Sequence, residues 1–392
     1  MDFDFWYLIL VPLLFAAGWW ARGREVRDQN NNEESVPEAY SRAVSLLVGD
    51  DPERGLDALV DVARNDPDLL ELHHVLGVMF RRRGEFEKAI RLHRYLAERP
   101  DVDDETHRLA LSALGEDYLR AGFFDRAEKV FRTLEADPSE HLAALRALLG
   151  IYVTEHDWIN AIDVAVKLQK QAGEAREKEI SHFYCELADE ALKRKNVALA
   201  KTYLQSAKET DPSNIRVAVT LGSLALLEGA PEDAKAQWLG VMESQPRYTP
   251  LVLGRLADAM MSTGDSEGAK ALLTQSIASQ PNPDVLDIVV ERLAKWHGLP
   301  EAIRVTQTVL SNHPTMSAFA TLSRLKAEDP EADEETLMVG KLVSRYSKRL
   351  VRYQCQQCGF VASAFAWHCL GCGAWDSFPP TRMDENKVRS GY

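Results

Sequence analysis

The stretch from Leu72 to Pro100, LHHVLGVMFRRRGEFEKAIRLHRYLAERP, contains one complete helix–turn–helix pattern. Its landmarks are, in order, Leu76, Gly77, Phe80, Gly84, Ala89 and Pro100. Two antiparallel helices approach closely only where glycine or alanine removes side-chain bulk, while leucine and aromatic residues fill the neighbouring holes. A second glycine permits the turn, and proline ends the second helix because the residue before it disfavours the helical conformation. The stretch therefore predicts a pair of packed helices.

The same spacing recurs through the middle of the chain. A small residue precedes a proline by eleven or twelve positions in Gly55 with Pro67, Ala89 with Pro100, Ala127 with Pro138, Ala200 with Pro212, Ala234 with Pro246, Ala269 with Pro281 and Ala302 with Pro314, and Ala161 continues the series without its proline. Successive small residues are 33 to 39 positions apart, close to the tetratricopeptide period of about 34. Each helix pair leaves one apolar face bare, so neighbouring pairs must stack. We predict an all-α tetratricopeptide-repeat solenoid of about eight repeats over residues 36–315.

A solenoid of this kind presents the first helix of each pair on a concave face that is suited to binding peptides or other proteins. By position in the repeat, that face is predicted to include His74, Arg81, Arg82, Glu116, Arg120, Arg146, His182, Asp189 and Lys193. For any one of these residues, an ordinary solvated side chain on a helix is the favoured interpretation. Cys185 maps to the same face, where a buried and inert thiol is the better interpretation.

Four of the five cysteines form two short pairs near the C-terminus, Cys355-Gln-Gln-Cys358 and Cys369-Leu-Gly-Cys372. Two Cys-x-x-Cys knuckles can place four thiolates at the corners of one tetrahedron, which is the coordination that Zn²⁺ prefers. Iron accepts the same four ligands, so the sequence does not separate the two metals. We predict one four-thiolate metal ion, zinc or iron, held by these four cysteines in a rubredoxin-like domain.

Residues 353–381, which contain both knuckles, are too few to bury a core of their own, so metal binding would supply folding energy. Gly359 and Gly373, which follow the two pairs, permit tight turns, and their N–H groups could point at a sulfur. A redox Cys-x-x-Cys would leave the second pair unexplained, and disulfides are disfavoured in a reducing compartment. His368 could replace a sulfur ligand, but four cysteines already complete the shell.

The N-terminus carries an uncharged apolar stretch, FWYLILVPLLFAAGWWA, over residues 5–21, followed by Arg22, Arg24 and Arg27. Aromatic residues stand at both of its edges, as in the interfacial belts of a spanning helix, although it is near the short limit for one. A cleaved signal peptide would need positive charge before the apolar run, where Asp2 and Asp4 stand instead. We predict a single-pass transmembrane anchor over 1–21, a polar linker over 22–35, and a cytoplasmic main body.

Charge is distributed unevenly in the C-terminal part. Residues 316–352 are predicted to form helices and a charged linker, with an acidic loop at 328–335 followed by a basic helix that carries Lys341, Arg345, Lys348, Arg349 and Arg352. These are solvated faces, or they dock the metal domain against the acidic solenoid; residues 382–392 form a tail. The formal net charge of −14 and the lack of a long basic tract argue against nucleic acid as a partner. The sequence carries no Walker loop, His-Glu-x-x-His motif, nucleophile elbow or dinucleotide fingerprint, so an enzyme is not expected.

Three stretches carry a family resemblance: SHFYCELADEAL (Ser181 to Leu192), FFDRAEKVF (Phe123 to Phe131) and RYQCQQCGFVASAFAWHCLGCGAW (Arg352 to Trp375). Together with the anchor and the repeats, they resemble the lipopolysaccharide assembly protein B family of Gram-negative bacteria over essentially the full length of the chain. The four-cysteine tail is the specific part, because tetratricopeptide repeats occur in many unrelated proteins.

The resemblance implies a bacterial inner-membrane adaptor for the membrane-bound ATP-dependent protease FtsH. Such adaptors promote degradation of the deacetylase that commits precursors to lipid A, and an inner-membrane protein that senses lipopolysaccharide restrains them. The resemblance also implies that Cys355, Cys358, Cys369 and Cys372 are the metal ligands, and that the metal domain packs on the solenoid. Two alternatives stay open, a scaffold for lipopolysaccharide synthesis enzymes and a redox- or iron-sensing protein that binds a partner. Membrane lipid is also a predicted partner, and a homodimer stays open.

Overall fold

A computed structural model describes residues 36–49, 51–280, 282–330, 332–350 and 353–382. The predicted anchor at 1–21, the linker at 22–35 and the last ten residues of the tail lie outside this part of the chain. Among the described residues, no helix is both long and apolar enough to cross a membrane. The described residues divide into two compact units, one ending at residue 155 and the other beginning at residue 156.

The first unit consists of helices. They are α1 (Val36–Val48), α2 (Pro52–Asn65), α3 (Leu70–Arg82), α4 (Phe86–Glu98), α5 (Asp104–Arg120), α6 (Phe124–Leu134) and α7 (His141–Glu155). Consecutive helices pack as pairs, α1 with α2, α3 with α4 and α5 with α6, and the pairs also contact one another. Short connections of this kind make paired helices antiparallel.

The second unit also consists of packed helices, and it ends in a small domain with two strands. Its elements are α8 (Trp158–Ala172), α9 (Glu177–Lys193), α10 (Val197–Thr210), α11 (Ile215–Leu227), α12 (Pro231–Ser244), a short 3-10 helix (Pro246–Tyr248), α13 (Thr249–Ser262), α14 (Ser266–Ser279), α15 (Pro283–His297), α16 (Leu299–Asn312), α17 (Met316–Ala327), α18 (Glu334–Leu350), β1 (Tyr353–Gln354) and β2 (Val361–Ala362). Helix packing continues past residue 315, since α17 contacts both α16 and α18.

The repeat positions pack as predicted, with a small residue on one helix facing a large side chain of its neighbour. The repeat alanines 89, 127, 161, 200, 234, 269 and 302 are all fully buried. A Cβ added at Gly77 would lie 2.5 Å from the His93 ring, and one added at Gly115 would lie 2.8 Å from the Phe131 ring. Glycine at these positions therefore admits a large side chain from the next helix. The prediction of an all-α tetratricopeptide architecture with a C-terminal metal-binding domain is confirmed.

In six of the described pairs, the turn uses a left-handed residue five positions before the repeat alanine. Gly84, Gly122, Gly229 and Gly264 have φ between 75° and 88° there. In two repeats the same position holds His156 and Lys195, each with φ of 60°. Because left-handed backbone is strained for residues with a Cβ, these two turns retain the geometry of the repeat without its preferred residue.

Polar side chains define where many helices begin. An Asp, Asn or Thr side chain accepts a hydrogen bond from the backbone N–H three residues later at Asp51, Asp103, Asp157, Asn196, Asp265, Asn282 and Thr315. Each of these caps satisfies one of the N–H groups that a helix end leaves without a partner. The repeat is thus encoded at three places: the cap, the turn and the small residue in the core.

Candidate metal centre and its docking surface

The four predicted ligands lie on two similar knuckles. In the first, Cys355 N–H donates to Phe360 O at 2.8 Å and Gly359 N–H donates to Cys355 O at 2.9 Å. In the second, Cys369 N–H donates to Ala374 O at 2.9 Å and Gly373 N–H donates to Cys369 O at 2.8 Å. The same two hydrogen bonds therefore fold each Cys-x-x-Cys segment.

The sulfur geometry matches one tetrahedral ion. All four Sγ atoms lie within 4.8 Å of one another. The Sγ atoms of Cys355 and Cys372 are 3.8 Å apart, and those of Cys358 and Cys369 are 3.7 Å apart. A tetrahedron with metal–sulfur bonds of about 2.3 Å has sulfur–sulfur distances of about 3.8 Å. The four thiolates are consistent with one four-coordinate metal ion, which would complete its shell and leave no open position for a substrate.

The trailing glycines have a different role from one of those expected. Gly359 and Gly373 take positive φ values of 77° and 73°, which confirms their use in tight turns. Their N–H groups, however, close those turns onto the carbonyl oxygens of Cys355 and Cys369 rather than pointing at sulfur. Gly371 N–H instead approaches Cys369 Sγ at 3.4 Å. The expectation that the trailing glycines donate to sulfur is wrong, because the turn already uses those donors.

The two knuckles expose their ligands unequally. Cys355 and Cys369, the first cysteine of each pair, are buried, and Phe378 packs with them in a small apolar core. Cys358 and Cys372, the second of each pair, are exposed. One side of the centre is therefore covered by protein, and the other side faces solvent. His368 lies beside the centre, with its ring 4.6 Å from the Trp375 ring.

The covered side rests on helices of the second unit through Trp375. The Trp375 ring stacks on His182 of α9, with centroids 4.8 Å apart and an interplanar angle of 17°. It also meets Phe183 edge-on at 5.8 Å and Trp158 of α8 edge-on at 6.3 Å. Trp375 and His182 are both buried, so the metal domain covers this aromatic cluster.

A second aromatic contact lies nearby. The Trp367 ring stacks on Tyr248 of the 3-10 helix at 5.9 Å and 21°. On its other side, Trp367 meets Phe365 of the metal domain edge-on at 5.0 Å. Trp367 also joins the apolar core that α12 and α13 build. The His182 ring lies 6.0 Å from Trp367 as well as 4.8 Å from Trp375, so the two tryptophans share one contact residue on α9.

A largely covered carboxylate accompanies the aromatic contacts. Asp376 Oδ2 lies 3.1 Å from Nε2 of His182 and 3.3 Å from Nζ of Lys178, both on α9. Burial raises the pKa of Asp376, but the adjacent His182 ring and the Lys178 ammonium lower it by more, so its pKa is below the usual value. The ionised carboxylate is therefore the favoured form in the docked domain.

Both ends of the metal domain converge on Asp284 of α15. The Tyr353 hydroxyl donates to Asp284 Oδ1 at 2.9 Å, and the Arg382 backbone N–H donates to Asp284 Oδ2 at 2.7 Å. The Arg382 guanidinium pairs with Asp284 at 2.9 Å and also with Asp287. Burial raises the pKa of Tyr353, and Asp284 adds to this shift, so the tyrosine stays a neutral donor. We call Asp284, Asp287, Tyr353 and Arg382 the terminal clamp.

The predicted partner-binding residues in the first unit differ in exposure. Arg82, Glu116, Arg120 and Arg146 are exposed, whereas His74 is half-buried. Arg81 is largely covered, because its guanidinium bonds to Ala113 O, Asp117 and Glu116. Asp117 also binds His93, and both of those side chains are fully buried. Arg81 therefore belongs to a packed polar network as well as to the predicted face.

In the second unit, three predicted residues differ in their surroundings. Lys193 is exposed, and Asp189 binds Arg216 of α11. His182 is covered by Trp375, so it contributes to docking of the metal domain. Cys185 is buried in the core of α9, α10 and α11, as predicted, and burial raises its pKa to about 12.

Sequence reasoning identified the ligands but missed the docking residues Trp367, Trp375, Asp376, Asp284 and Arg382. One signal was present: residues 353–378 include six Phe, Trp or Tyr residues and a single charged residue, Asp376. A segment too small for its own core has no internal place for so many aromatic side chains. That excess indicates a docked domain, although it does not identify the helices that receive it.

Comparisons with known families agree with this description. Residues 353–380 match a family described as a rubredoxin metal binding domain, and residues 72–106 and 112–172 match tetratricopeptide repeat families. Among solved structures, a tetratricopeptide repeat protein from Parabacteroides merdae covers 73% of this chain and 97% of its own chain at 14% identity, with a TM-score of 0.26. A TM-score this low carries no argument about fold or function.

Full-length relatives are more informative. The Escherichia coli K12 protein named lipopolysaccharide assembly protein B is 30% identical over 379 residues, which is 95% of this chain and 97% of that protein. The Haemophilus influenzae Rd protein of the same name is 26% identical over 390 residues, covering 96% and 98%. The similarity spans both the helical repeats and the metal domain, so the chain belongs to the lipopolysaccharide assembly protein B family.

Proposed function

We propose that the chain is an inner-membrane adaptor, with its main body in the cytoplasm, that promotes FtsH-dependent proteolysis of the lipid A pathway deacetylase. The observation that carries the proposal is the family relationship over 95% of the chain to proteins named for lipopolysaccharide assembly. The architecture supports it, because repeated helix pairs provide extended surfaces for binding other proteins.

The mechanism is tethering, without chemistry by the chain itself. The apolar segment at 5–21 would confine the adaptor to the plane of the membrane-bound protease, which raises the local concentration of any bound substrate. Exposed charged residues of the predicted face, such as Arg82, Glu116 and Arg120, would contact a partner. The lipopolysaccharide-sensing inner-membrane protein would restrain the adaptor through the membrane region.

The metal centre has a structural role in this proposal. A four-thiolate ion would supply the folding energy that a domain of this size lacks. Folding positions Trp367, Trp375 and Asp376 for docking on the helices. The docked domain then serves as a rigid part of the partner-binding surface.

One observation favours a second candidate, a redox or iron sensor. Cys358 and Cys372 are exposed, so an oxidant can reach two of the four ligands from solvent. Oxidation of these thiolates would release the metal, and bound partners would respond to the unfolded domain. Purified protein that keeps its metal during mild peroxide treatment would exclude this candidate.

The decisive experiment for the adaptor is the half-life of the deacetylase in cells with and without this chain, with the protease active. A longer half-life on depletion is expected. An unchanged half-life would reject the adaptor and leave a scaffold that gathers synthesis enzymes. Pull-downs then separate the two, because a pure scaffold need not bind the protease.

A further inference from the structure

Helix α18 presents an outward face that no part of the described chain covers. It approaches α17 at Gly340, where an added Cβ would lie 2.9 Å from the Ala327 Cβ. Successive helical residues are rotated by about 100°, which defines the direction opposite Gly340. Met338 and Leu342 point within roughly 20° of that direction, and Arg345 points within roughly 40° of it. Met338 is 62% exposed and Leu342 is 46% exposed, and Arg345 is exposed as well.

The charge of this segment is opposite to that of the protein as a whole. Residues 336–352 contain five Lys or Arg residues and no Asp or Glu, in a chain with a formal net charge of −14. Lys341, at the edge of the outward face, is exposed like Arg345. Four to eight cations on an amphipathic helix are typical of segments that bind anionic lipid headgroups.

We propose that the outward face of α18 lies on an anionic lipid bilayer. Met338 and Leu342 enter the boundary between headgroups and acyl chains, while Lys341 and Arg345 extend their charged ends to the lipid phosphates. The proposal rests on the membrane location in the proposed function, because an N-terminal anchor would keep the helix near a bilayer.

Charge disfavours a second copy of the chain as the occupant of this face. In a two-fold dimer the same face meets itself, which would bring Arg345 and Lys341 of one copy close to those of the other. Such like-charge contacts oppose association. An anionic bilayer meets the same cations with opposite charge and accepts the exposed Met338 without a preformed pocket.

The experiment uses the full chain mixed with vesicles of phosphatidylcholine alone or with added phosphatidylglycerol. The photoreactive substitution Met338→p-benzoylphenylalanine reports what covers the face. Ile159→p-benzoylphenylalanine is the matched control, because Ile159 is 64% exposed on α8. Flotation of the vesicles measures membrane association separately from crosslinking.

The expected result is a lipid adduct at position 338 that is about tenfold stronger with phosphatidylglycerol, and little adduct at position 159. Each cation near an anionic surface contributes roughly a factor of five in binding. K341E/R345E should therefore reduce the adduct by at least about tenfold. K170E/K208E, which changes two exposed lysines on α8 and α10 by the same charge, should leave it unchanged.

The outcomes separate this proposal from the anchor. Flotation with both vesicle types but no lipid adduct at position 338 overturns the α18 proposal and keeps the anchor. If flotation and the lipid adduct at position 338 both occur only with phosphatidylglycerol, the result supports the α18 proposal and rejects the anchor. No flotation with either composition rejects both. A crosslink from position 338 to protein, whether a second copy or an acidic partner, also overturns the lipid proposal.

Discussion

The indole of Trp375 lies nearly parallel to the imidazole of His182, with ring centroids 4.8 Å apart, and this stack joins the metal domain to α9. Trp375→Ala should weaken docking by about 3–5 kcal/mol, the usual cost of removing a buried aromatic side chain. Backbone amides of residues 353–382 should exchange hydrogen much faster, while the metal stays bound.

Leu370→Ala is the matched control for this change, because Leu370 is 83% exposed on the second knuckle. It should leave amide exchange unchanged. Loss of the metal from the Trp375 variant would show instead that docking and coordination cannot be separated.

The terminal clamp should respond to loss of a single charge. Asp284→Asn removes the ion pair with Arg382 and weakens the acceptor of the Tyr353 hydroxyl. Hydrogen bonds to a charged group contribute roughly 1.5–3 kcal/mol, so protection of the metal domain in amide exchange should fall by at least about tenfold. Asp258→Asn, which breaks the more exposed pair with Arg292, should have little effect. Equal effects of both substitutions would exclude a special role for the clamp.

Loss of the metal should unfold only the C-terminal domain. The parent protein should bind one metal ion per chain. The double substitution Cys355→Ser/Cys358→Ser should abolish this binding and should expose residues 353–382 to protease. The far-ultraviolet circular dichroism should change little, because that domain contains two short strands and no helix among its described residues. A substantial loss of helical signal would mean that the helices need the metal to fold.

Lys195 tests the left-handed turn position. Left-handed backbone destabilises a residue with a Cβ by roughly 1–2 kcal/mol. Glycine avoids this strain, but it lowers the free energy of unfolding by roughly 0.5–1 kcal/mol because it gives the unfolded chain more conformational freedom. Lys195→Gly should therefore stabilise the protein by up to about 1 kcal/mol in urea unfolding. Arg194→Gly, with a φ of −82°, should destabilise it. If both variants lose stability, the turn carries no strain.

Cys185 should resist alkylation. Its pKa is raised by burial to about 12, so at pH 8 only about one thiol in ten thousand is ionised. Below pH 9.0 the thiol is neutral in both the folded and the unfolded state. Above pH 9.0 only the unfolded state ionises it, so the free energy of unfolding falls as the pH rises towards 12. Mass spectrometry after iodoacetamide treatment at pH 8 should find Cys185 unmodified. After chelation, Cys358 and Cys372 should react within the same time, and comparable labelling of Cys185 in the folded protein would contradict its burial.

The sequence predicted those features that local chemistry determines. Repeat alanines, turn glycines and paired cysteines act through spacing, which is visible along the chain. The position of Trp375 on His182 was not predictable in this way, because nothing in either segment specifies a partner far away in sequence. Lys195 shows a related limit, since the repeat imposes a left-handed turn where the residue type does not indicate one.

The metal domain touches α9 through His182 and α15 through Asp284, with five α-helices and the 3-10 helix between them in the chain. A stack of helix pairs joined only to its neighbours is soft in bending, because small rotations at successive interfaces add together. A rigid body attached to two helices that are far apart in the sequence removes that freedom. Metal occupancy would then set the stiffness and curvature of this stretch of helices, so a change at four sulfur atoms would reach residues far from the ion as a mechanical effect.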